Sequence, residues 1–323
     1  MIIAKILKIP IGDWIETFFE FLNRNISSFT KAFSESFNNG VDNTIDLFVG
    51  INPILLIIIL SIIIFFLSSA KPNRITKANL REKYSNIKFL GHFIAWFLGK
   101  TKIMIKDRYA IKMTIGSFIG LIFCWNLGMW ELTVSTIVLI LIATLISILI
   151  GIPLGILAAL YKKFYRIIIP ILDVMQTMPA FVYLIPVIPL FRIGKLSAVL
   201  ATVIFAIPPA IRLTCLGIKQ LPEELIEAAN AFGSTKKQKL IKVQLPLAVP
   251  TIMAGVNQTI MLSLSMVVIA SMIGAGGLGK QVLWAVQNLK VGAGFEAGLG
   301  VVIIAIILDR VTQRIAGSGK NKK

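Results

Sequence analysis

Seven apolar runs set the limits on what this chain can fold into. They cover residues 51–70, 113–130, 132–160, 167–191, 196–218, 247–273 and 295–311. A hydrocarbon core about 30 Å thick is crossed by about 20 apolar residues in a helix. Inside it every backbone N–H and C=O needs an internal partner, which leaves only helices and closed barrels. Runs of this length select helices, so the expected fold class is an all-α polytopic membrane protein. The composition agrees: 56% of residues are hydrophobic, 15% are charged, and the mean hydropathy is +0.85. A soluble domain carries about a quarter charged residues.

The fourth run is unlike the others. Pro170, Pro179, Pro186 and Pro189 fall within it, and proline removes a helix hydrogen bond and crowds the preceding turn. A bent or interrupted helix is expected there. In the third run, Gly151-Ile-Pro153-Leu-Gly155 predicts a kink near the end. Pro208 and Pro209 lie inside the fifth.

The polar segments between the runs fix the orientation. With the C-terminus inside, the inner segments are 71–112, 161–166, 212–242 and 310–323. They hold 25 of the 33 Lys and Arg residues. The first fifty residues hold six of the fifteen acids. Cytoplasmic loops collect Lys and Arg, so the N-terminus is expected outside and the C-terminus in the cytoplasm. The net charge of +18 is then a property of the inner loops and of their contact with anionic lipid; no nucleic-acid partner is expected.

Residues 1–50 form an N-terminal extracellular segment. Ile11, Trp14, Ile15, Phe18, Phe19 and Leu22 share one helical face, and Asp13, Glu16, Thr17 and Glu20 share the other. Such a helix lies in a membrane interface with Trp14 as anchor, or packs on neighbouring protein. A weaker repeat follows at Ile26, Phe29, Phe33 and Phe37. The start, MIIAKILKIPIGDW, lacks the long apolar core of a secretory signal. Residues 51–112 comprise the first span and a basic insert, in which residues 87–99, IKFLGHFIAWFLG, are too short to span and read as interfacial. His92 is read as a headgroup or packing residue. The insert is either a solvated positive-inside loop or a lipid-charge sensor. Cys124 and Cys215 sit in apolar runs without metal spacing and read as small apolar residues.

Residues 113–316 form the membrane core, followed by a basic cytoplasmic tail at 317–323. Within the core, residues 221–246, LPEELIEAANAFGSTKKQKLIKVQLP, are the one long charged segment. Pro222, Glu223 and Glu224 open a helix. Leu221, Leu225, Ala228, Ala229 and Phe232 recur on one face. Gly233 closes the helix in a left-handed conformation. Ser234 is expected to cap a second short helix bearing Lys236, Lys237, Lys239 and Lys242, which Pro246 is expected to stop.

Glu227-Ala228-Ala229, Gly233 and Val243-x-Leu245-Pro246 at these spacings resemble the EAA loop of ABC importer permeases. The stretches ATLISILIGIPLGILAA, LDVMQTMPAFVYLIPVIPLFRIG, FAIPPAIRLTCLGI and IASMIGAGGLGKQVLWAVQNLKVGAGFEAGL resemble the glycine betaine/proline branch of that family. The resemblance implies a type I importer transmembrane domain with N-terminal amphipathic helices, in a bacterial cell membrane. It implies a permease homodimer, a partner ATPase and a separate extracellular solute-binding protein. Solute crosses by alternating access. The permease is not an enzyme and carries no cofactor, since ATP and Mg belong to the partner. Gly274-Ala-Gly-Gly-Leu-Gly-Lys280 lacks phosphate-loop spacing and is read as close packing or a hinge.

In the resemblance, Glu223, Glu224, Glu227, Ala228, Ala229, Gly233, Leu245 and Pro246 make the ATPase-coupling segment. For the solute, a quaternary ammonium is held by aromatic faces, and unwound backbone lines cavities. Met175, Gln176, Phe181 and Tyr183 are candidates beside the prolines, and Asn257 and Gln258 are candidates as polar groups at membrane depth. Helix packing is the other reading of each. The expected cargo is glycine betaine, proline betaine or proline; choline, carnitine or another amino acid is the alternative within the class. An ATP-independent transporter or a scaffold is the alternative outside it. A reporter fused after Lys323 is predicted to read as cytoplasmic; an external signal there would contradict the orientation.

Overall fold

The computed structural model describes residues 10–68 and 108–317. Most of the basic insert, with residues 87–99 and His92, lies outside the described residues, as do residues 1–9 and 318–323. Every regular element among the described residues is helical. Five helices are each long and apolar enough to cross a membrane, and two bent pairs each pass the same test together, which accounts for the seven expected runs.

The N-terminal segment is one helix, α1 (Ile11–Val49), rather than two amphipathic stretches. No proline interrupts it. It ends at Gly50, and Asn52 precedes Pro53, a position that proline pushes out of the helical region. The Asn52 Oδ1 accepts a hydrogen bond from the Ile54 N–H at 3.0 Å and starts α2 (Pro53–Ser68). α1 and α2 meet at 101°, so when α2 crosses the membrane α1 runs along its plane. The two readings of α1 divide along its length. Trp14, 63% exposed, Phe18, Phe21 and Phe29 are exposed among the described residues, whereas Val41 and Ile45 are buried in the main core.

α3 (Arg108–Asn126) begins five residues before the expected span, and α4 (Trp130–Leu160) continues through Pro153. α5 (Lys162–Thr177) ends at a break. A 3₁₀ turn (Ala180–Tyr183) and α6 (Leu184–Phe191) then leave at 117°. Met178 and Pro179 are both extended there, with ψ of 136° and 143°. α7 (Lys195–Lys219) is the central helix, with two thirds of its most apolar window buried. The segment after it forms α8 (Glu223–Ala231) and α9 (Lys236–Lys239), and a π-turn (Leu240–Gln244) leads into α10 (Leu245–Ala270). α11 (Gly277–Gln287) and α12 (Val291–Gly317) complete the chain. The glycine cluster before α11 is a packed turn: Gly277 has φ +68°, and a Cβ there would lie 2.5 Å from Thr136 Oγ1 of α4. That hydroxyl accepts the Leu278 N–H at 2.8 Å.

Lipid tails are as apolar as leucine, so helices in a membrane associate through close contact rather than water exclusion. Here the closeness comes from missing side chains. A Cβ on Gly151 would lie 2.7 Å from Ala210 Cβ, and one on Gly155 would lie 2.6 Å from Ile211 O and from Thr214 Cβ, joining α4 to α7. Gly217 and Gly255 do the same between α7 and α10, where added carbons would meet Thr251 Cβ at 2.9 Å and Leu213 Cβ at 3.0 Å.

α1 holds the N-terminal end of α7 and the end of α6 before it. Ser34 Oγ donates to Phe191 O at 3.2 Å, and Asn38 Oδ1 accepts the Leu196 N–H at 2.8 Å. Lys195 pairs with Asp42. The C-terminal end of α7 leads into α8, about 37 Å away at 1.5 Å per residue. Gly155→Leu is predicted to lower the thermal stability of the solubilised protein by about 1–3 kcal/mol through overpacking. Gly116→Ala, with no atom within 4 Å of the added carbon, is the neutral control. Equal melting of the two variants would contradict this account of the core.

Candidate functional site

The segment 221–246 is built as two short helices on a fixed corner. Pro222 stands just before α8, and Glu223 and Glu224 occupy its first turn. There the helix dipole favours negative charge. At the other end Gly233 has φ +70°. Its N–H bonds Asn230 O at 2.9 Å, and the Ser234 N–H bonds Ala229 O at 3.0 Å. This is the Schellman closure of a helix.

The cap of α9 is Thr235, not the expected Ser234. Ser234 is consumed by the Schellman closure and sits one position too early. Thr235 is extended, and its hydroxyl accepts the Gln238 N–H at 3.3 Å while Gln238 Oε1 accepts the Thr235 N–H at 2.9 Å. This reciprocal pair is a capping box. Lys239 Nζ donates to Asn230 Oδ1 at 2.9 Å and braces α9 against α8. Pro246 does not stop the second helix. The π-turn widens the backbone just before it, and proline fits the first turn of α10 without a lost bond. α9, the π-turn and α10 therefore form one continuous rod that starts at the Gly233 corner.

Exposure separates the segment into an anchored side and an open side. Leu240 and Leu245 pack with Ile218, Ala248 and Ile252 at the C-terminal end of α7 and the N-terminal end of α10. Ala229 is buried, and Leu221 is half-buried. The other residues of the expected apolar face point away from the chain: Leu225 and Ala228 are exposed, and Phe232 is 90% exposed. Glu223, Glu224 and Glu227 are exposed too, and no ion pair is formed by them among the described residues. The apolar strip is flanked by acids at one end and by exposed Lys236 and Lys237 at the other.

The proline break gathers Met175 and Tyr183. Pro179 has no N–H for the Met175 carbonyl, and the Tyr183 hydroxyl donates to it instead. The Tyr183 ring is buried, edge-on to Phe205 at 5.5 Å. Gln176 is exposed at the end of α5, and Phe181, 53% exposed, follows the break. Asn257 belongs to a different network: it donates to Asp309 Oδ1 at 3.3 Å and accepts from Thr312 Oγ1 at 2.5 Å on α12. Gln258 beside it is exposed. No hydrogen bond among the described residues joins the two groups.

Sequence reasoning missed four features here: the exposed Phe232, the Thr235 cap, Asp309 as the partner of Asn257, and an ion pair between Asp173 of α5 and Arg212 of α7 at 2.5 Å. The last had a signal, since each charge stands inside an apolar run.

Comparison with known proteins places this geometry. Residues 151–317 match the family described as binding-protein-dependent transport system inner membrane component. The glycine betaine transport system permease protein OpuAB of Bacillus subtilis is 52% identical over 206 residues, covering 64% of this chain and 73% of OpuAB. The glycine betaine/proline betaine transport system permease protein ProW of Escherichia coli is 52% identical over 212 residues, covering 66% of this chain and 60% of ProW. In shape the chain is similar to a chain of the MetNI methionine ABC transporter in an inward-facing conformation, with a TM-score of 0.53 over 58% of this chain and 94% of that one, at 23% identity. The helices, the corner at residues 221–246 and the family match agree: the chain belongs to the binding-protein-dependent transport system inner membrane component family, as a multi-pass permease subunit of the ABC importer type.

Proposed function

We propose that this permease imports a small compatible solute, glycine betaine or a close relative such as proline betaine, as a homodimer driven by a separate ATPase and fed by a separate extracellular binding protein. The observation that carries the cargo is the 52% identity with permeases named for glycine betaine across about two thirds of this chain. ATP and Mg reside on the ATPase, and the C-terminus and α8 face the cytoplasm, as the charge distribution supports.

The chain's own residues supply the coupling. Phe232, Leu225 and Ala228 offer the apolar contact, Ala228 keeps the approach close, and Glu227 offers a carboxylate to a donor on the motor. The Schellman corner and the Lys239–Asn230 bond make α8 and α9 one rigid piece. Because α9 runs without a break into α10, a push on α8 is delivered to α10 as a rotation rather than lost in a loop. α10 lies against α7 through glycine contacts, so the motion reaches the centre of the membrane domain. At the other end α1 holds the start of α7, which gives the moving helices a fixed point.

The test is uptake of labelled glycine betaine by vesicles containing the permease with its ATPase and binding protein. Accumulation that requires ATP is predicted, with proline, choline and carnitine as competitors that rank the cargo. Accumulation without ATP would contradict the reading. In the same vesicles Gly233→Asp is predicted to insert normally yet lose about tenfold in ATPase co-purification and in uptake. A side chain at φ +70° costs about 1–2 kcal/mol, and no neighbour lies within 4 Å of the added carbon. Normal uptake by that variant would remove the corner from the mechanism.

A further inference from the structure

α5 is a membrane-embedded helix with a polar face. Leu172, with Ile168, Ile169 and Met175, packs on Ile207 and Ile211 of α7. Beside that contact Arg166, Pro170, Asp173 and Thr177 follow one another at helical spacing, and all four are exposed. α7 is buried along most of its length; Ile204, Leu216 and Lys219 are exposed, and Arg212 is half-buried. The two helices meet there: Asp173 and Arg212 pair at 2.5 Å, and Lys219 Nζ sits 3.1 Å from the centre of the Tyr165 ring.

The pair is at membrane depth. Arg212 lies about 26 Å from the N-terminal end of α7 and about 10 Å from its C-terminal end, and Asp173 lies about 16 Å from the start of α5, at 1.5 Å per residue. The side chains remain 37% and 57% exposed. Charges at this depth face a water-filled cavity or other protein, not lipid. One donor of the guanidinium, Arg212 Nε, is enclosed and has no hydrogen-bond partner among the described residues, so Asp173 does not exhaust its capacity. Pro170, Pro208 and Pro209 also take away the usual helical donors of the Arg166, Ile204 and Phe205 carbonyls, and such carbonyls line cavities in membrane proteins.

We propose that this face of α5 and α7 lines the cytoplasmic half of the solute route, and that Asp173 and Arg212 form a two-charge site for a zwitterion. The Arg212 guanidinium takes the solute carboxylate, and the Asp173 carboxylate faces its cationic nitrogen. With the solute absent the two charges satisfy each other, so the site is never left with an uncompensated charge. With it present each charge exchanges one opposite charge for another. The site is charge-matched to a zwitterion and mismatched to a simple cation, which would leave Arg212 unpaired. The identity of the solute rests on the function proposed above; the placement of the route does not.

The experiment uses the assembled transporter in vesicles. Thr177→Cys, one turn from Asp173 on the same exposed face, in a chain with Cys124 and Cys215 replaced by alanine, is exposed to a charged, water-soluble thiol reagent. Labelling is expected, slowed several-fold by glycine betaine; absence of labelling would overturn the placement, and labelling that glycine betaine does not slow would overturn the binding role. In parallel, the double variant Asp173→Leu with Arg212→Met removes both charges, which an ion pair of purely structural value tolerates. It is expected to insert and to co-purify with the ATPase. Its maximal uptake rate should fall at least tenfold, while the KM set by the binding protein holds. Uptake at the wild-type rate would overturn the assignment. Labelling needs no cargo, so a wrong solute and a wrong route give different results.

Discussion

The close approach of α4, α7 and α10 is the constraint on which the rest depends. Without a hydrophobic driving force between helices, that approach has to come from shape. Gly151, Gly155, Gly217 and Gly255 remove the side chains that would hold the three helices apart. α7 can therefore be central and mostly buried, which leaves the half-buried charge of Arg212, paired with Asp173, as its exceptional feature.

Mechanical continuity is the second element. A coupling device has to be stiff at the corner where force arrives and continuous from there to the moving part. The Schellman closure, the capping box and the Lys239–Asn230 bond stiffen the corner with local hydrogen bonds. The π-turn at Leu240–Gln244 lets a helix carrying Pro246 continue where an ordinary α-turn would clash. The apolar strip at Leu225, Ala228 and Phe232 is exposed among the described residues.

The spans, the two short helices at 221–246 and the existence of a break in the fourth run were legible because each depends on residue type at short range. Apolar length gives spans, and proline density gives a break. Which proline makes the break was not legible. Pro170 and Pro189 sit inside helices, whereas Met178 and Pro179 turn the chain because both are extended. Ser234 and Thr235 are chemically alike, and only the closing bonds of α8 decide which caps α9. The fusion of α1 into one helix rests on its inner half packing into the core, which periodicity does not show. For the solute site, the sequence pointed to aromatic residues near the prolines. The structure gives Tyr183 the task of satisfying the Met175 carbonyl, and it places two charges, Asp173 and Arg212, across two helices 39 residues apart in sequence.

The central claim is that residues 221–246 are the surface on which a motor protein acts. Phe232 is the most exposed aromatic residue of that surface, so a photo-crosslinking amino acid at position 232, activated in intact membranes, tests the claim most directly. The account predicts a covalent adduct with the ATPase subunit whose yield changes when ATP is added. Adducts only with lipid, or with a protein on the external face, would contradict it.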